Sequence, residues 1–307
     1  MTFFSLIAAL VLDQFKPLPA TNPIISSFAR YAAALERWFN AGEHSHGIIA
    51  WAVAIAPLVV VTLAVYYALY ALHPALAWVF NVLVLYLTMG LRQFSSPFTA
   101  IAKSLQEKDV EAAREHMAKW LDEAAYEFSD SEIARVAIER GLILSHRHVF
   151  AMIFWFVVAP GPVGAVLYRA AWSLHEQWKD SPHHGAGGFG RFASQAFEAI
   201  DWIPARLTAI SFAIVGDFED AVYCWREQAK GWFQVNQGII LASGGGALGV
   251  KLGDVLHQHG TLSFRPELGL GDDADADFMQ SAVGLVWRAL LLWISLILLM
   301  TVAHWVG

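Results

Sequence analysis

Residues 47–91 read GIIAWAVAIAPLVVVTLAVYYALYALHPALAWVFNVLVLYLTMGL, a run without one Asp, Glu, Lys or Arg. A helix of about 20 residues spans the hydrocarbon core of a bilayer, so this run is long enough to cross it twice. His73 and Pro74 stand near its middle and predict a tight turn. We therefore expect a helical hairpin of two membrane helices, from about Ile48 to Leu72 and from about Leu76 to Leu91.

The composition extends this expectation to the whole chain of 307 residues. Hydrophobic residues make up 57% of it and charged residues 15%, with a mean hydropathy of +0.46; soluble domains use about 25% charged residues. We expect an all-α integral membrane protein of about four to six membrane segments, some short or broken, with amphipathic cytoplasmic helices, in a single domain over residues 1–307. The net charge of −7, without a Lys/Arg cluster, argues against nucleic acid and leaves the lipid bilayer as the first partner.

Other segments flank the hairpin. Met1 to Leu12 is apolar but lacks the basic start of a signal peptide, so we expect a short retained membrane segment. Ile24 to Asn40 has apolar residues at helical spacing, which predicts an amphipathic surface helix. Val149 to Leu167 is apolar but interrupted by Pro160-Gly161-Pro162, which predicts a break near its middle. A final membrane helix is predicted from about Val283 to Val306.

The region from Arg92 to His148 is polar. Phe98 to Leu121 is typical of one helix, and Ser129-Asp130-Ser131-Glu132 supplies capping chemistry for the next. The region holds eight Lys or Arg, whereas residues 169–201 hold three. By the positive-inside rule, we place the polar region in the cytoplasm.

The stretch Asp201 to Ala209, DWIPARLTA, opens an apolar run that ends near Gly216. An arginine one turn inside such a run is costly in lipid unless protein, water or a ligand receives it, so Arg206 is a candidate for binding an anionic ligand. The alternative is that Arg206 snorkels to the interface or pairs with Asp201. Pro204 is typical of the first turn of a helix, where its missing N–H costs nothing.

A second group of candidates stands directly before the fourth apolar segment, at the depth of lipid headgroups. Its members are polar or ionisable: Glu139, Arg140, Ser145, His146, Arg147 and His148. We name His146, Arg147 and His148 as ligand-binding candidates. A solvated interface is the competing interpretation.

A third candidate is the glycine-rich run SGGGALGVKLG from Ser243 to Gly253. Bare backbone N–H groups, above all those of Gly245 and Gly246, are candidates for cradling a phosphate, with Lys251 as the counter-charge. The run does not match a P-loop because no Gly-Lys-Ser/Thr closes it. Close helix packing through small residues is the competing interpretation.

The candidate metal ligands do not form a recognisable set, and we predict no metal site. Four histidine pairs occur without a cysteine or a regularly spaced carboxylate to complete a zinc site: His44/His46, His146/His148, His183/His184 and His257/His259. The acidic run at Asp272, Asp273, Asp275 and Asp277 lacks the glycine and the terminal glutamate of a calcium loop, and we expect it to be solvated. Cys224, the single cysteine, is expected to pack as a small apolar residue.

Several strings together resemble the CobD/CbiB family, membrane proteins of cobalamin biosynthesis, and the related AmpE proteins. They occur in family order over nearly the whole chain: Asn22-Pro23, Leu35-Glu36-Arg37, Lys108 to Arg114, Phe154-Trp155, Gly164 to Ala170, Trp202 to Thr208 and Gly246 to Gly253. The resemblance implies a multi-pass protein of the bacterial inner (cytoplasmic) membrane. For CobD/CbiB it implies ATP-dependent amide formation between a corrinoid carboxylate and an aminopropanol or its phosphate.

This chemistry needs acids that hold Mg²⁺ and neutralise phosphoryl charge, and the chain departs from the family there. Where the synthases have the string Glu-Ser-x-Ala-Glu-Asn-Thr-x-Asp-Gly, only the first glutamate survives, as Glu139. Their Arg-Asp-Thr string corresponds to residues 122–124, Asp-Glu-Ala, and their Asn-Thr-Leu-Asp string to residues 172–175, Trp-Ser-Leu-His. Their Asp-Asp pair corresponds to Phe197-Glu198.

The chain instead shares with AmpE the Asp-Trp-x-Pro-x-Arg-Leu string at 201–207 and Pro182-His183-His184. We therefore predict a catalytically diverged, AmpE-like member without a cofactor. Its expected role is sensing or regulation, by binding an anionic small molecule or another membrane protein. The alternative is an active adenosylcobinamide-phosphate synthase that uses ATP and Mg²⁺, with a metal site rebuilt from Glu139, Glu198, Asp201 and the aspartates at 272–277.

Overall fold

The computed structural model describes residues 2–16, 23–40, 44–179, 188–258 and 261–306. These are helical almost throughout, which confirms the all-α class. The helices are α1 (Thr2–Phe15), α2 (Pro23–Phe39), α3 (His44–Leu72), α4 (Pro74–Thr88), α5 (Leu91–Gln106), α6 (Val110–Leu121), α7 (Asp130–Ser145), α8 (Ala151–Val158), α9 (Val163–Trp178), α10 (Gly188–Val215), α11 (Phe218–Gln228), α12 (Val235–Leu248) and α13 (Ala276–Val306). A π-helical turn, His146–Phe150, joins α7 to α8, and a short antiparallel pair, β1 (Leu256–Gln258) and β2 (Thr261–Ser263), follows α12.

Contacts divide the chain into two compact units. The first unit comprises residues 1–90 and 151–202, and the second unit residues 91–150 and 203–307. Among the described residues, four helical segments are long and apolar enough to cross a membrane: Ser45–Leu72, Pro74–Gln106, Asp130–Val158 and Ala276–His304. The single-domain expectation stays a prediction.

The first unit contains the predicted hairpin. Its turn is fixed by His73, whose Nδ1 accepts a hydrogen bond from the Ala75 N–H at 3.1 Å, and by Pro74 in the first turn of α4. The amphipathic helix also forms, as α2, and the indole N–H of Trp178 donates to its Ala32 carbonyl at 3.3 Å. The predicted break is confirmed, because α8 ends at Val158 and α9 begins at Val163.

The single helix predicted from Phe98 to Leu121 is wrong. The structure has α5 and α6 instead, separated at Lys108, which adopts a left-handed φ of 60°. The Asp109 carboxylate then accepts from the Ala112 N–H at 3.0 Å and starts α6 as its N-cap. Asp and Asn favour such caps because their side chains replace a missing intrahelical acceptor.

The expectation for Pro204 is also wrong, because the proline lies inside α10 and not in its first turn. An interior proline leaves the carbonyl four residues earlier without its helical donor. Here that carbonyl belongs to Ile200, and it accepts from the indole N–H of Trp155 at 3.3 Å. A tertiary hydrogen bond therefore satisfies the group that the proline leaves open.

The second unit packs around the π-helical turn. Phe150 contacts the rings of Phe212 and Trp293, with centroids 5.8 and 5.7 Å away. The Trp293 indole donates to the Ser211 hydroxyl at 2.7 Å. Cys224 is fully buried, as expected, and burial raises the pKa of its thiol to about 11. The second unit thus has an aromatic core beside the π-helical turn.

Candidate functional site

The polar residues before the fourth apolar segment are buried within one long helical segment, Asp130–Val158. A reciprocal capping box between Ser129 and Glu132 begins this segment. Three ionisable side chains of its first half and three of the π-helical turn are at most 9% exposed: Glu132, Arg135, Glu139, His146, Arg147 and His148. The solvated-interface interpretation is therefore wrong for Glu139 and the turn residues. Buried charges in a membrane segment require protein partners.

Glu139 has such partners in the loop after α12. Its carboxylate accepts hydrogen bonds from the two terminal guanidinium nitrogens of Arg265, at 2.7 and 3.2 Å. It also accepts a hydrogen bond from the Gly253 N–H at 2.7 Å. Arg265 also donates to the carbonyls of Gly253 and Asp254, at 2.8 and 3.2 Å, and its guanidinium carbon lies 5.7 Å from the Trp232 ring centroid. Glu139 is thus engaged in a two-point ion pair that holds Arg265 and Gly253 against α7.

The same loop is also bound by Arg135 and Glu132, which lie one and two helical turns before Glu139 on α7. The Glu132 carboxylate accepts from the His257 N–H at 2.9 Å and contacts its Nδ1 at 2.8 Å. Arg135 contacts the Asp254 carboxylate at 3.4 Å and donates to the Val255 carbonyl. Because residues three and four apart share a helix face, Glu132, Arg135 and Glu139 form one charged stripe.

The π-helical turn contributes His146 and His148. Nδ1 of His146 lies 2.9 Å from the Thr208 hydroxyl, which also contacts the Pro204 carbonyl at 2.9 Å. When that hydroxyl donates to the Pro204 carbonyl, Nδ1 of His146 is the donor to the hydroxyl oxygen. The His148 ring lies 5.9 Å from the Phe94 ring. Single π-helical turns inside α-helices occur frequently at functional sites.

Arg206 lies on the wall of a cavity of about 450 Å³ in the second unit. Its guanidinium donates to the Asn236 side-chain carbonyl at 3.2 Å, and Asn236 is itself buried. The cavity, named here the basic cavity, is lined by Arg206, Trp225, Arg226, Glu227, Ala229, Lys230, Val235 and Ile239. Asp201, the pairing partner considered from the sequence, accepts from the Tyr168 hydroxyl at 2.7 Å. The ligand-binding role of Arg206 stays a prediction, now with a cavity to test.

The first six residues of the glycine-rich run, 243–248, form the C-terminal part of α12, which corrects the interpretation of the run as a phosphate cradle. The N–H groups of Gly245 and Gly246 lie in the helix interior, where they bond to backbone carbonyls one turn earlier. A Cβ at Gly246 would lie 2.5 Å from the Asp220 carbonyl oxygen of α11. Close helix packing therefore explains the small residue. Lys251 is exposed, and its ammonium lies 3.9 Å from the Asp273 carboxylate.

Among the described residues, the acids predicted to hold Mg²⁺ do not lie together in a metal site. Among those residues, no group of three or more His, Cys, Asp or Glu is placed to hold a metal. Glu139 is engaged by Arg265, and Glu198 is exposed on α10. The aspartates at 272–277 are exposed, and Asp275 accepts from the N–H groups at the start of α13. His183, His184 and His259 lie outside the described residues, as does the His44 side chain.

Sequence reasoning missed Arg226 and Lys230 of the basic cavity. They are four residues apart, a spacing that by itself is typical of the polar face of an amphipathic helix. It also missed Arg169, which lies in the first unit on a cavity of about 470 Å³ with mainly apolar walls. The Arg169 guanidinium carbon lies 4.6 Å from the Trp172 ring centroid. An arginine inside an apolar helix is the signal that would have marked it.

These features define the class: a multi-pass helical membrane protein whose second unit holds a buried charged stripe and a cavity rich in cations. The model of the CobD/Cbib protein family matches residues 6–286, and the chain belongs to that family.

Relatives match almost end to end. "Cobalamin biosynthesis protein CobD" of Stutzerimonas stutzeri (strain A1501) is 35% identical, over 96% of this chain and 97% of the relative. The protein of the same name from Chromobacterium violaceum is 33% identical, over 94% of this chain and 93% of the relative. That from Leptospira interrogans (strain 56601) is 26% identical, over 86% and 85%. No solved structure matches the chain.

Proposed function

We propose that this protein carries out the amide-forming step of cobalamin biosynthesis at the bacterial inner membrane, as an adenosylcobinamide-phosphate synthase. The reaction would join a corrinoid carboxylate to an aminopropanol or its phosphate. The observation that carries the proposal is the 35% identity to a relative named for cobalamin biosynthesis, over 96% of this chain. This similarity is stronger support than that for the sensing role expected from the sequence, which depended on a few short strings in which the chain differs from the synthases.

In this proposal Glu139 acts as a positioning residue and not as a metal ligand. Its oxygens are taken by Arg265 and by the Gly253 N–H, so it holds the loop of residues 253–257 against α7. The described acids do not form a metal centre of their own. The contribution that the described residues support is therefore binding and orientation of the substrates.

Growth of a cobinamide synthase deletion strain on cobyric acid tests the proposal. We expect this protein to restore growth, and we expect the purified protein in proteoliposomes to form the corrinoid amide from cobyric acid, the amine, ATP and Mg²⁺. The product is identified by mass spectrometry. Absence of both growth and product, with folded protein shown in the membrane by immunoblotting and size-exclusion chromatography, would contradict the proposal.

A diverged, AmpE-like member that binds a ligand without catalysis is the second candidate. It is favoured by the engagement of Glu139 with Arg265, and by Ile143, Leu144 and Arg147, where the synthase strings carry Glu, Asn and Asp. This candidate predicts no growth and no product in the same assays. It also predicts that Arg206→Ala lowers binding of an anionic ligand or a protein partner while the protein stays folded.

A further inference from the structure

The first unit contains a cavity of its own beside Arg169, named here the apolar cavity. Side chains of α2, α3, α4 and α9 line its volume of about 470 Å³, and all of them belong to the first unit. Among the described residues that line it, seven are aliphatic or aromatic and four are polar. The volume lies within the range of roughly 300–1,000 Å³ that is typical of small-molecule sites. The cavity can therefore hold a ligand, and the chemistry of its walls decides which one.

Three of the four polar side chains in these walls are engaged within the protein. The Thr88 hydroxyl donates to the carbonyl one turn earlier in α4 at 2.8 Å, and the Ser27 hydroxyl accepts from the Arg30 guanidinium at 3.0 Å. The Arg169 guanidinium lies over the Trp172 ring, 4.6 Å from its centroid, and has a further contact. A polar ligand would have to replace these bonds, and such an exchange returns little free energy. The walls therefore favour an apolar ligand.

The hydroxyl of Tyr31, an aromatic residue of the lining, is also engaged. Pro57 lies inside α3, so the carbonyl of Val53, four residues earlier, has no helical donor. The Tyr31 hydroxyl of α2 donates to that carbonyl at 3.1 Å. This bond satisfies the polar end of the tyrosine and attaches α2 to α3 close to Leu58, another lining residue. The aromatic ring of Tyr31 is thus what it contributes to the cavity.

The surroundings of the cavity supply hydrocarbon. Leu58 belongs to α3, and Val60 and Val61 of the same helix are 61% and 59% exposed, as expected of a helix that faces lipid. The α2 wall is amphipathic, with Arg30 and Arg37 exposed. A helix of this kind lies at the boundary between lipid headgroups and acyl chains, buried about 5–10 Å. A cavity between such a helix and a lipid-facing hairpin lies at the depth of the acyl chains of one leaflet.

Water and vacancy are poorer occupants of this space. Water enters a cavity where polar groups bind it, and apolar cavities stay dry. An empty cavity loses the dispersion contacts that its walls would make with an occupant. A hydrocarbon chain restores those contacts without competing for the hydrogen bonds of the walls.

We propose that the apolar cavity binds one acyl chain of a bilayer lipid. The chain contacts Phe28 and Tyr31 of α2, Leu87 of α4 and Val166 of α9, and so joins the amphipathic helix to the hairpin and to α9. This lipid is a ligand distinct from the substrates of the proposed reaction. The proposal does not depend on amide formation, because binding is measured without turnover.

The test uses the full chain in proteoliposomes and two photoreactive probes without phosphate. One probe is a diacylglycerol, which resides in the bilayer, and the other is the free fatty acid with the same diazirine-bearing chain. After irradiation, tandem mass spectrometry locates the label on α9. Val166 lines the cavity, whereas Ala171 and Leu174 of the same helix are fully buried outside its lining and give the background.

We expect the diacylglycerol probe to label Val166 and Ala170 of the wild type above the background at Ala171 and Leu174. Ala170→Phe places a phenyl group in the cavity, and we expect it to lower the label at Val166 by roughly fivefold or more, because a filled interior leaves no space for the chain. Ala64→Phe is the matched control, since it makes the same change at an exposed position of α3. The control should label like the wild type.

The proposal is overturned if the diacylglycerol probe labels Val166 and Ala170 no more than the background positions. It is also overturned if Ala170→Phe labels like the wild type, or if Ala64→Phe loses as much label. Labelling by the fatty acid alone would assign the cavity to a free fatty acid and contradict a bilayer lipid. Size-exclusion chromatography shows whether each variant is folded; should Ala170→Phe not be, Val84→Phe on the α4 wall replaces it, with the same outcomes.

Discussion

Two of the segments long enough to cross a membrane differ sharply in what surrounds them. Only 17% of the apolar window of Ser45–Leu72 is buried inside the protein, whereas 67% of that of Asp130–Val158 is buried. The first has no Asp, Glu, Lys or Arg, and His46 is its one histidine, whereas the second carries the charged stripe of α7. The more apolar segment is therefore the more exposed one.

The bilayer explains this inversion. Lipid tails are as apolar as leucine, so α3 gains little by exchanging lipid contacts for protein contacts. Val60 and Val61 are accordingly 61% and 59% exposed. Ionisable side chains must avoid lipid, and Glu132 and Glu139 do so by pairing within the second unit. In this protein, an uninterrupted apolar sequence indicates a helix that faces lipid, and an apolar sequence with ionisable residues in it indicates a helix of the protein interior.

The largest effect is expected from breaking the ion pair that the buried segment depends on. Arg265→Met leaves the Glu139 carboxylate buried without its cation, and we expect the free energy of unfolding to fall by about 3–5 kcal/mol. Denaturation in mixed SDS micelles, followed by circular dichroism, measures the change. The double variant Glu139→Gln/Arg265→Met should recover part of the loss, because no unpaired charge remains. A loss below about 1 kcal/mol in the single variant would be that of a surface pair and would refute the buried stripe.

A second test compares the two segments residue by residue. Ile138 of α7 is fully buried, and Val61 of α3 is 59% exposed. We expect Ile138→Ala to cost about 2–5 kcal/mol through the cavity it leaves, and Val61→Ala to stay within about 0.5 kcal/mol. The same micellar unfolding assay compares both variants. Equal costs would mean that burial does not separate the segments.

A smaller effect is expected in α12, where glycine permits close approach of α11. Gly246→Ala places a methyl group 2.5 Å from the Asp220 carbonyl oxygen, and we expect a cost of about 1–3 kcal/mol. Gly284→Ala in α13 is the matched control, because nothing lies within 4 Å of its added Cβ. It should be neutral or stabilise by up to about 1 kcal/mol. An unchanged melting temperature in Gly246→Ala would remove the packing explanation for this glycine.

Local features of the fold were predictable from the sequence. The hairpin of α3 and α4 follows from an uncharged run with His73-Pro74 at its turn, and the start of α7 follows from Ser129 and Glu132. Each depends on residues a few positions apart, so the sequence contains the whole signal.

The errors arose where a distant residue decides the outcome. Pro204 stays inside a helix because Trp155 satisfies the carbonyl of Ile200. The burial of Glu139 depends on Arg265, 126 residues later. The basic cavity combines Arg206 with side chains of α11 and α12, which sequence spacing does not bring together. Local signals were also misleading for function. Differences in short strings suggested divergence from the synthases, whereas similarity over the whole chain supports a role in cobalamin biosynthesis.

The most direct test of the difference between the segments is photolabelling of the wild-type protein in proteoliposomes with an apolar diazirine that partitions into the bilayer. Peptide mapping by mass spectrometry then gives the label on each helix. The structure predicts dense labelling of α3 along Ser45–Leu72 and little label on residues 130–150. Labelling of residues 130–150 as dense as that of α3 would place the charged stripe against lipid and contradict the account.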